Sequence, residues 1–363
     1  MNALYLLPGR VGGTEIYLRS LLAALAAIDS EDRYVVYVNR ETGDGLLPAS
    51  PHFETVRCNV AATFRPLRLA YEQFVLPWRT AKDGIDVLFN PGFTAPVFTR
   101  VPSVTVFHDL QHKRHPEFFR PFERPFWNLF LWLAARRSRR LIAVSEATAR
   151  DLAAYYPFAR ARISVVRHGV DAEFFRIGSR RDGRPRSGVL LAVSTTHPHK
   201  NFHRLLEGFG RFRQTHPEYR LVIAGLEGRS AAGLETARRR LGLEDAVSLT
   251  GWIPREELYR LFESADALIA PSLFEGFGMP VLEALAAGIP TAVAAIPVFD
   301  EVAGDAAVRF DPLSVDAIAG ALTRLADDEG LRSAAQRMGP ERARTFDWAT
   351  TAAQTLNALK SVF

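Results

Sequence analysis

The most constraining feature of this chain is a rhythm. Short apolar runs alternate with helical patterns along its length, and the rhythm stops once and restarts. In the first half the runs NALYLL, YVVYV, DVLFN, SVTVFH, LIAVS and ISVVR read as buried strands. Between them lie helical stretches such as TEIYLRSLLAALAAI and EATARDLAAYY, the latter opened by Ser145 as N-cap. Residues 177–188, IGSRRDGRPRSG, are polar and aperiodic and are expected to be an interdomain linker. After them come VLLAVS, a helix over FHRLLEGFGRFRQ, YRLVIAG, AVSLTG, DALIAP, TAVAA and AVRFD. Such alternation requires parallel sheets covered on both faces. The expected architecture is α/β, with two Rossmann-like doubly wound domains over 1–176 and 189–345 facing across a cleft. A C-terminal helix over 346–363 is expected to pack back on the first domain. No short period repeats, which excludes a solenoid.

A chain of 363 residues is comfortable as two domains. Cys58 is the only cysteine, so no internal disulfide can form and a reducing compartment is expected. MNALYLLPGR breaks at Pro-Gly after a short apolar run and does not read as a signal peptide. No stretch reaches the roughly 18 uninterrupted apolar residues of a spanning helix. The expected location is the cytoplasm, with room for peripheral contact at the inner face of a membrane. Residues 1–175 carry 22 Lys/Arg against 17 Asp/Glu, and residues 176–363 carry 23 of each. The whole net charge of +5 therefore lies in the first half, which fits an anionic partner or surface there. RPFWNLFLWLAARRSRR, residues 124–140, joins aromatics and leucines to a basic cluster. It fits a half-buried helix with a basic C-terminal end, or an interfacial element facing anionic headgroups.

In doubly wound sheets ligands bind beyond the carboxyl ends of the strands, so the loops there carry the chemistry. In PSLFEGFGMPVLEALAAGIP, residues 271–290, a strand gives way to a glycine-rich loop and then to a helix with Pro280 at its start. Backbone N–H groups around Gly276, Phe277, Gly278 and Met279 would lie at a helix N-terminus, a seat for phosphate. Glu275 and Glu283 flank that seat. Carboxylates repel a bare phosphate but accept hydrogen bonds from hydroxyls. A ligand with a central diphosphate and polyols at both ends, a nucleotide sugar, meets both demands. An ordinary βα loop with an acidic first helical turn fits the same residues.

Lys200 in HPHKN, residues 197–201, stands between a strand and a helix and can serve as a point charge for phosphate or as a solvated lysine. In GRVGGTE, residues 9–15, Gly12 and Gly13 would let backbone approach a ligand, or would only make a tight turn. FHDL places His108 at a strand end, as a functional or a capping histidine. His112 and His115, and His197, His199 and His203, lack a metal-site carboxylate pattern. There is no Asp-x-Asp motif, so neither metal nor cofactor is expected.

EGFGMPVLE, with seven residues between its glutamates, resembles the paired-glutamate signature of glycosyltransferase family 4, retaining enzymes of the GT-B fold. The resemblance extends to VGGTEIYLRSLL, TVFHDL, AVSEATARDL, RHGVD, PHKNFHRLLEGF, LVIAGLEG and LTGWIPREELYRLFESADALIAPS. It implies an acceptor-binding first domain, a nucleotide-sugar-binding second domain and metal-independent hexosyl transfer. It gives Glu275 contact with the transferred sugar, Glu283 the ribose hydroxyls and Lys200 the leaving diphosphate. His108 would contact the donor sugar and close on it from the opposite domain. Gly12 and Gly13 would lie near the donor phosphate, and Trp252 and Ile253 near the base. PHKN and FHDL…HPEFF lean towards mannosyltransferases using GDP-mannose in surface polysaccharide synthesis, with a saccharide or lipid-linked acceptor. The chain departs from the family at Ser194, Thr195 and Thr196, where many relatives have a glycine and then an arginine. One cation is thereby missing or supplied elsewhere. A GT-B relative such as an epimerase or phosphorylase, and a non-catalytic sugar-nucleotide-binding subunit, are the competing readings. The signature argues against the first, and Glu275, Glu283, Lys200 and His108 against the second.

Overall fold

The computed structural model describes residues 1–181 and 184–363. It divides into two compact units: Met1–Gly169 with Trp348–Phe363, and Val170–Asp347. The described strands are β1 Asn2–Ala3, β2 Tyr34–Val38, β3 Phe53–Arg57, β4 Leu88–Asn90, β5 Ser103–Phe107, β6 Arg140–Ala143 and β7 Ile163–Val165 in the first unit. The second holds β8 Val189–Val193, β9 Arg220–Ala224, β10 Val247–Gly251, β11 Ala267–Ala270, β12 Thr291–Ala294 and β13 Val308–Phe310.

In the first unit β1-β2-β3 and β4-β5-β6-β7 form two parallel sheets. They abut where the Asn2 side-chain amide donates to Asn90 Oδ1 at 3.2 Å. β2 and β5 are buried at every residue, as expected of strands covered on both faces. The helix Gly13–Ile28 buries Tyr17, Leu18, Leu21, Leu22 and Leu25 along one face and packs against the C-terminal helix Trp348–Lys360. Ser145 caps the helix Glu146–Tyr155, its hydroxyl accepting from the Thr148 N–H at 3.0 Å. Phe107 and Leu141 are fully buried in the core, at about 2 kcal/mol each.

The second unit is one six-stranded parallel sheet in the order β10-β9-β8-β11-β12-β13. The helix Phe202–Phe212 buries Phe202, Leu205, Leu206, Phe209 and Phe212 at helical spacing and packs on the helix Val315–Asp327.

Three expectations change. NALYLL pairs as a strand only at Asn2–Ala3, and Phe53–Arg57 is a strand the apolar pattern did not mark. The stretch 177–188 starts inside the helix Ala172–Arg180, which belongs to the second unit, and the passage between units falls at Gly169–Val170. Residues 182 and 183 of the stretch lie outside the described residues. Either side of them the chain is tied down. Arg181 donates to the carbonyls of Phe262 and Glu263 at 2.9 and 2.7 Å, and the Asp266 carboxylate accepts from the N–H groups of Ser187 and Gly188. Arginines that looked like solvent-loving linker residues are carbonyl ligands here.

Candidate functional site

The second unit assembles its candidates from the loops after β8, β10 and β11. After β8 the chain makes a short 3₁₀ turn, Pro198–Lys200, and then places Asn201 in the left-handed region, φ 59°. Asn201 tolerates that conformation better than most residues. Its buried side-chain amide donates to the Pro271 carbonyl at 3.0 Å and the Pro312 carbonyl at 2.7 Å, tying together the loops after β8, β11 and β13. The Leu273 N–H donates to the His199 carbonyl at 2.8 Å, a second tie between the first two. Held this way, Lys200 Nζ meets Glu275 Oε1 at 2.6 Å, and the Ser272 hydroxyl donates to the same oxygen at 2.8 Å. Both charged side chains are largely buried, so the pair is screened far less than a surface ion pair.

The helix Met279–Ala286 follows the Glu275 loop, with Gly278 before it at φ 92°. A Cβ on Gly278 would lie 2.6 Å from the Phe299 ring, so both backbone and space require glycine. Pro280 takes the second helical position. Phe277 is buried, its ring edge-on to Phe346 at 5.9 Å. Glu283 lies in the second turn and is buried, and Arg255 Nη1 donates to its Oε1 at 2.9 Å. Burial pushes the Glu283 carboxyl upward and Arg255 pulls it back. Arg255 stands over the Phe174 and Tyr259 rings at 4.9 and 5.0 Å, and its Nη2 is 3.8 Å from Asp171. Tyr259 donates its hydroxyl proton to Asp171. Trp252 and Ile253 lie between β10 and the helix Arg255–Ser264, Trp252 exposed. The structure thus brings Lys200 to Glu275, and brings the Trp252–Ile253 loop to Glu283 through Arg255.

The loop with the family departure is held by the loop after β9. The Thr196 hydroxyl accepts from the Gly228 N–H at 2.7 Å, and the Arg229 N–H donates to His197 Nδ1 at 3.4 Å. A Cβ on Gly225 would lie 2.2 Å from the Ser194 carbonyl oxygen. Burial, then the positive charges of Arg229 and Lys200, lower His197.

In the first unit Gly12 caps the helix that Gly13 begins, and the loop before it is tied by Glu15, whose carboxylate accepts from the Gly9 N–H at 2.7 Å. His108 is buried beyond β5, its Nε2 2.8 Å from the Pro91 carbonyl. A carbonyl only accepts, so Nε2 carries the proton and Nδ1 is left as an acceptor. Burial lowers His108 to about 4 and keeps it neutral. Its ring is edge-on to Tyr17 and Phe93, both at 5.1 Å, and stacked on His168 at 5.7 Å. Phe93 has φ 70°, backbone strain beside a candidate catalytic group. A cavity of 340 Å³ in this unit, lined by Met1, Asp83 and Lys360 among others, lies at the opposite, amino ends of β2 and β4 and holds none of these residues. Among the described residues no three His, Cys, Asp or Glu side chains gather as a metal site would require.

Sequence reasoning missed Arg255, Asp171, Tyr259 and the tying role of Asn201. Arg255 and Glu283 are 28 positions apart on separate helices, and no spacing links them.

Residues 11–174 match the family model described as Glycosyltransferase Family 4, and residues 179–342 the model described as Glycosyl transferases group 1. The chain is 26% identical to O-antigen chain mannosyltransferase B of Escherichia coli across 82% of this chain and 81% of that protein. It is 31% identical to a glycogen synthase of Mycobacterium tuberculosis across 73% of this chain, spanning 64% of that protein's length. A crystal structure of Anabaena HepE in complex with UDP and glucose superposes with a TM-score of 0.74 at 20% identity, covering 98% of each chain. The fold is that of the GT-B glycosyltransferases.

Proposed function

The chain belongs to the glycosyltransferases of family 4 and group 1, and from that premise we propose that it moves a hexosyl group, with retention, from a nucleotide-diphosphate sugar to a saccharide or lipid-linked acceptor in surface glycan synthesis. The donor of choice is GDP-mannose, a lean supported by the likeness to an O-antigen mannosyltransferase. The observation that carries the reading is the pairing of Lys200 with Glu275 beside the N-terminus of the helix Met279–Ala286. A cation and a helix N-terminus suit a diphosphate, and a carboxylate beside them suits sugar hydroxyls.

In this reading the bond between the anomeric carbon and the phosphate oxygen breaks, and the acceptor hydroxyl oxygen bonds to the same face of that carbon. The acceptor proton passes to the departing phosphate, so no protein nucleophile is used. Lys200 and the backbone of residues 276–280 carry the developing charge in place of a metal. Glu275 orients the sugar, Glu283 takes the ribose and the Trp252–Ile253 loop the base. His108 offers Nδ1 to a hydroxyl of the donor sugar. The reading includes peripheral membrane contact through the first unit.

Ligand-observed NMR against GDP-, UDP-, dTDP- and ADP-sugars, following binding and slow donor hydrolysis, tests it. Selective binding of one donor with release of free sugar supports transfer. Absence of binding by every donor overturns it.

A further inference from the structure

Among the described residues, most of the large apolar side chains left exposed lie in the first unit, and eight of those lie on or at the start of two helical runs. The run Arg65–Lys82 is helical throughout, with a π-turn at Tyr71–Val75. It buries Leu69, Glu72, Gln73, Leu76 and Thr80 and turns Phe64, Leu67, Phe74 and Trp78 outward, an apolar stripe at helical spacing on the wrong side for the core. Phe74 is 68% exposed and Trp78 64%. Phe74 stacks on Phe98, itself 64% exposed, at 5.4 Å. The helix Glu123–Arg137 repeats the pattern. It buries Leu131, Ala134 and Ala135, while Phe122, Leu129 and Trp132 stand outward.

The two runs are neighbours. The Arg65 guanidinium lies over the Trp127 ring at 5.2 Å, and Arg137 Nε donates to the Val97 carbonyl, next to Phe98, at 3.1 Å. Beyond the second helix Phe158 joins the surface, edge-on to Trp132 at 6.2 Å with Arg136 over its ring at 5.5 Å. The exposed charge here is mostly positive. In the first run the buried Glu72 is paired with the buried Arg68, which leaves Arg65, Arg79 and Lys82 against Asp83, 3.8 Å from Arg79. The second helix opens on one carboxylate, Glu123, and none follows from Pro125 to Ser145, against Arg136, Arg137, Arg139 and Arg140.

We infer that these two stripes and Phe98 form one docking surface for an anionic phospholipid membrane, aromatic rings entering the headgroup boundary and arginines meeting phosphates. A second copy of the chain would bring two basic faces together, which opposes self-association through this patch. The inference rests on the membrane clause of the proposed function and does not depend on the donor or on transfer.

The test is sedimentation with phosphatidylcholine vesicles containing about a third phosphatidylglycerol, against pure phosphatidylcholine, read also by tryptophan emission. The wild-type chain is expected to pellet with the anionic vesicles only, with a blue shift, and to release at high salt. Phe74→Ser with Trp78→Ser, and separately Lys82→Gln with Arg136→Gln, are each expected to weaken vesicle affinity about tenfold. Nucleotide-sugar binding should not change in either. A wild-type chain that stays in solution, or variants that pellet as well as wild type, overturns the inference. So does a wild-type dimer that Phe74→Ser with Trp78→Ser makes monomeric. Failure of the transferase reading would show instead as vesicle binding without donor binding.

Discussion

Lys200 Nζ and Glu275 Oε1, 75 residues apart in the chain, meet at 2.6 Å between the loops after β8 and β11. In the proposed function, a diphosphate reaching Lys200 would compete with this carboxylate and so free Glu275 for sugar hydroxyls. Glu275→Gln is expected to lower transfer about a hundredfold or more while leaving nucleoside-diphosphate affinity unchanged or tighter. Lys200→Ala is expected to weaken that affinity about tenfold. Calorimetry and single-turnover transfer on the two variants check the pair. Normal transfer by Glu275→Gln removes the glutamate from the mechanism.

Arg255 compensates the buried Glu283 carboxylate, with Asp171 and Tyr259 on its other side. Removing it leaves a charge that burial disfavours. Arg255→Gln is expected to cost about 3 kcal/mol of stability at pH 8. Glu283, already raised above its ordinary 4.5, then rises further. The folded state binds its proton more readily than the unfolded chain, so part of the loss returns as pH falls towards 4.5. Urea titrations at pH 8 and pH 5 read the difference, and adding Glu283→Gln should recover stability at pH 8.

His108 carries the opposite sign. A folded value near 4 against an ordinary 6.5 means that the unfolded chain protonates first on acidification. Its contribution is complete above about pH 6.5 and is lost between 6.5 and 4, up to about 3 kcal/mol. His168, lowered by the same burial, adds to the slope. Denaturant midpoints measured from pH 7.5 to 4.5 should fall steeply for the wild type and less steeply for His108→Gln.

Arg229 is the candidate for a second cation beside Lys200 in the proposed site. Its backbone meets His197, and its charge acts on that ring together with Lys200. Arg229→Gln is expected to weaken nucleoside-diphosphate binding about threefold to tenfold and to flatten its salt dependence. Equal affinities across a salt series would place the second cation elsewhere.

The parallel sheets were legible because buried strands such as YVVYV leave no polar alternation, and the loop carrying Glu275 because strand, glycines and proline fall in helix-starting order. FETVR was not legible. As an edge strand paired only to β2 it keeps Thr55 and Arg57 exposed and shows no apolar run. NALYLL was over-read because Leu4 and Leu6 are buried for packing rather than pairing. Arg255, Asn201 and the ties on Ser187 and Gly188 depend on which loops meet, and local pattern holds no record of that. The aromatic and arginine residues of 124–140 were visible, but the stripe of Phe64, Phe74 and Trp78 needed a helix whose buried side was known.

The first unit is written in two pieces of the gene. Trp348–Phe363 returns to it, and the Trp348 ring lies 5.9 Å from His168, which stacks on His108. No single cut yields this unit whole, and a chain truncated after Asp347 would keep every signature motif while exposing the rings behind His108. Recombining this family's halves therefore calls for two crossover points, or for a circular permutation that makes the sixteen terminal residues contiguous with Met1.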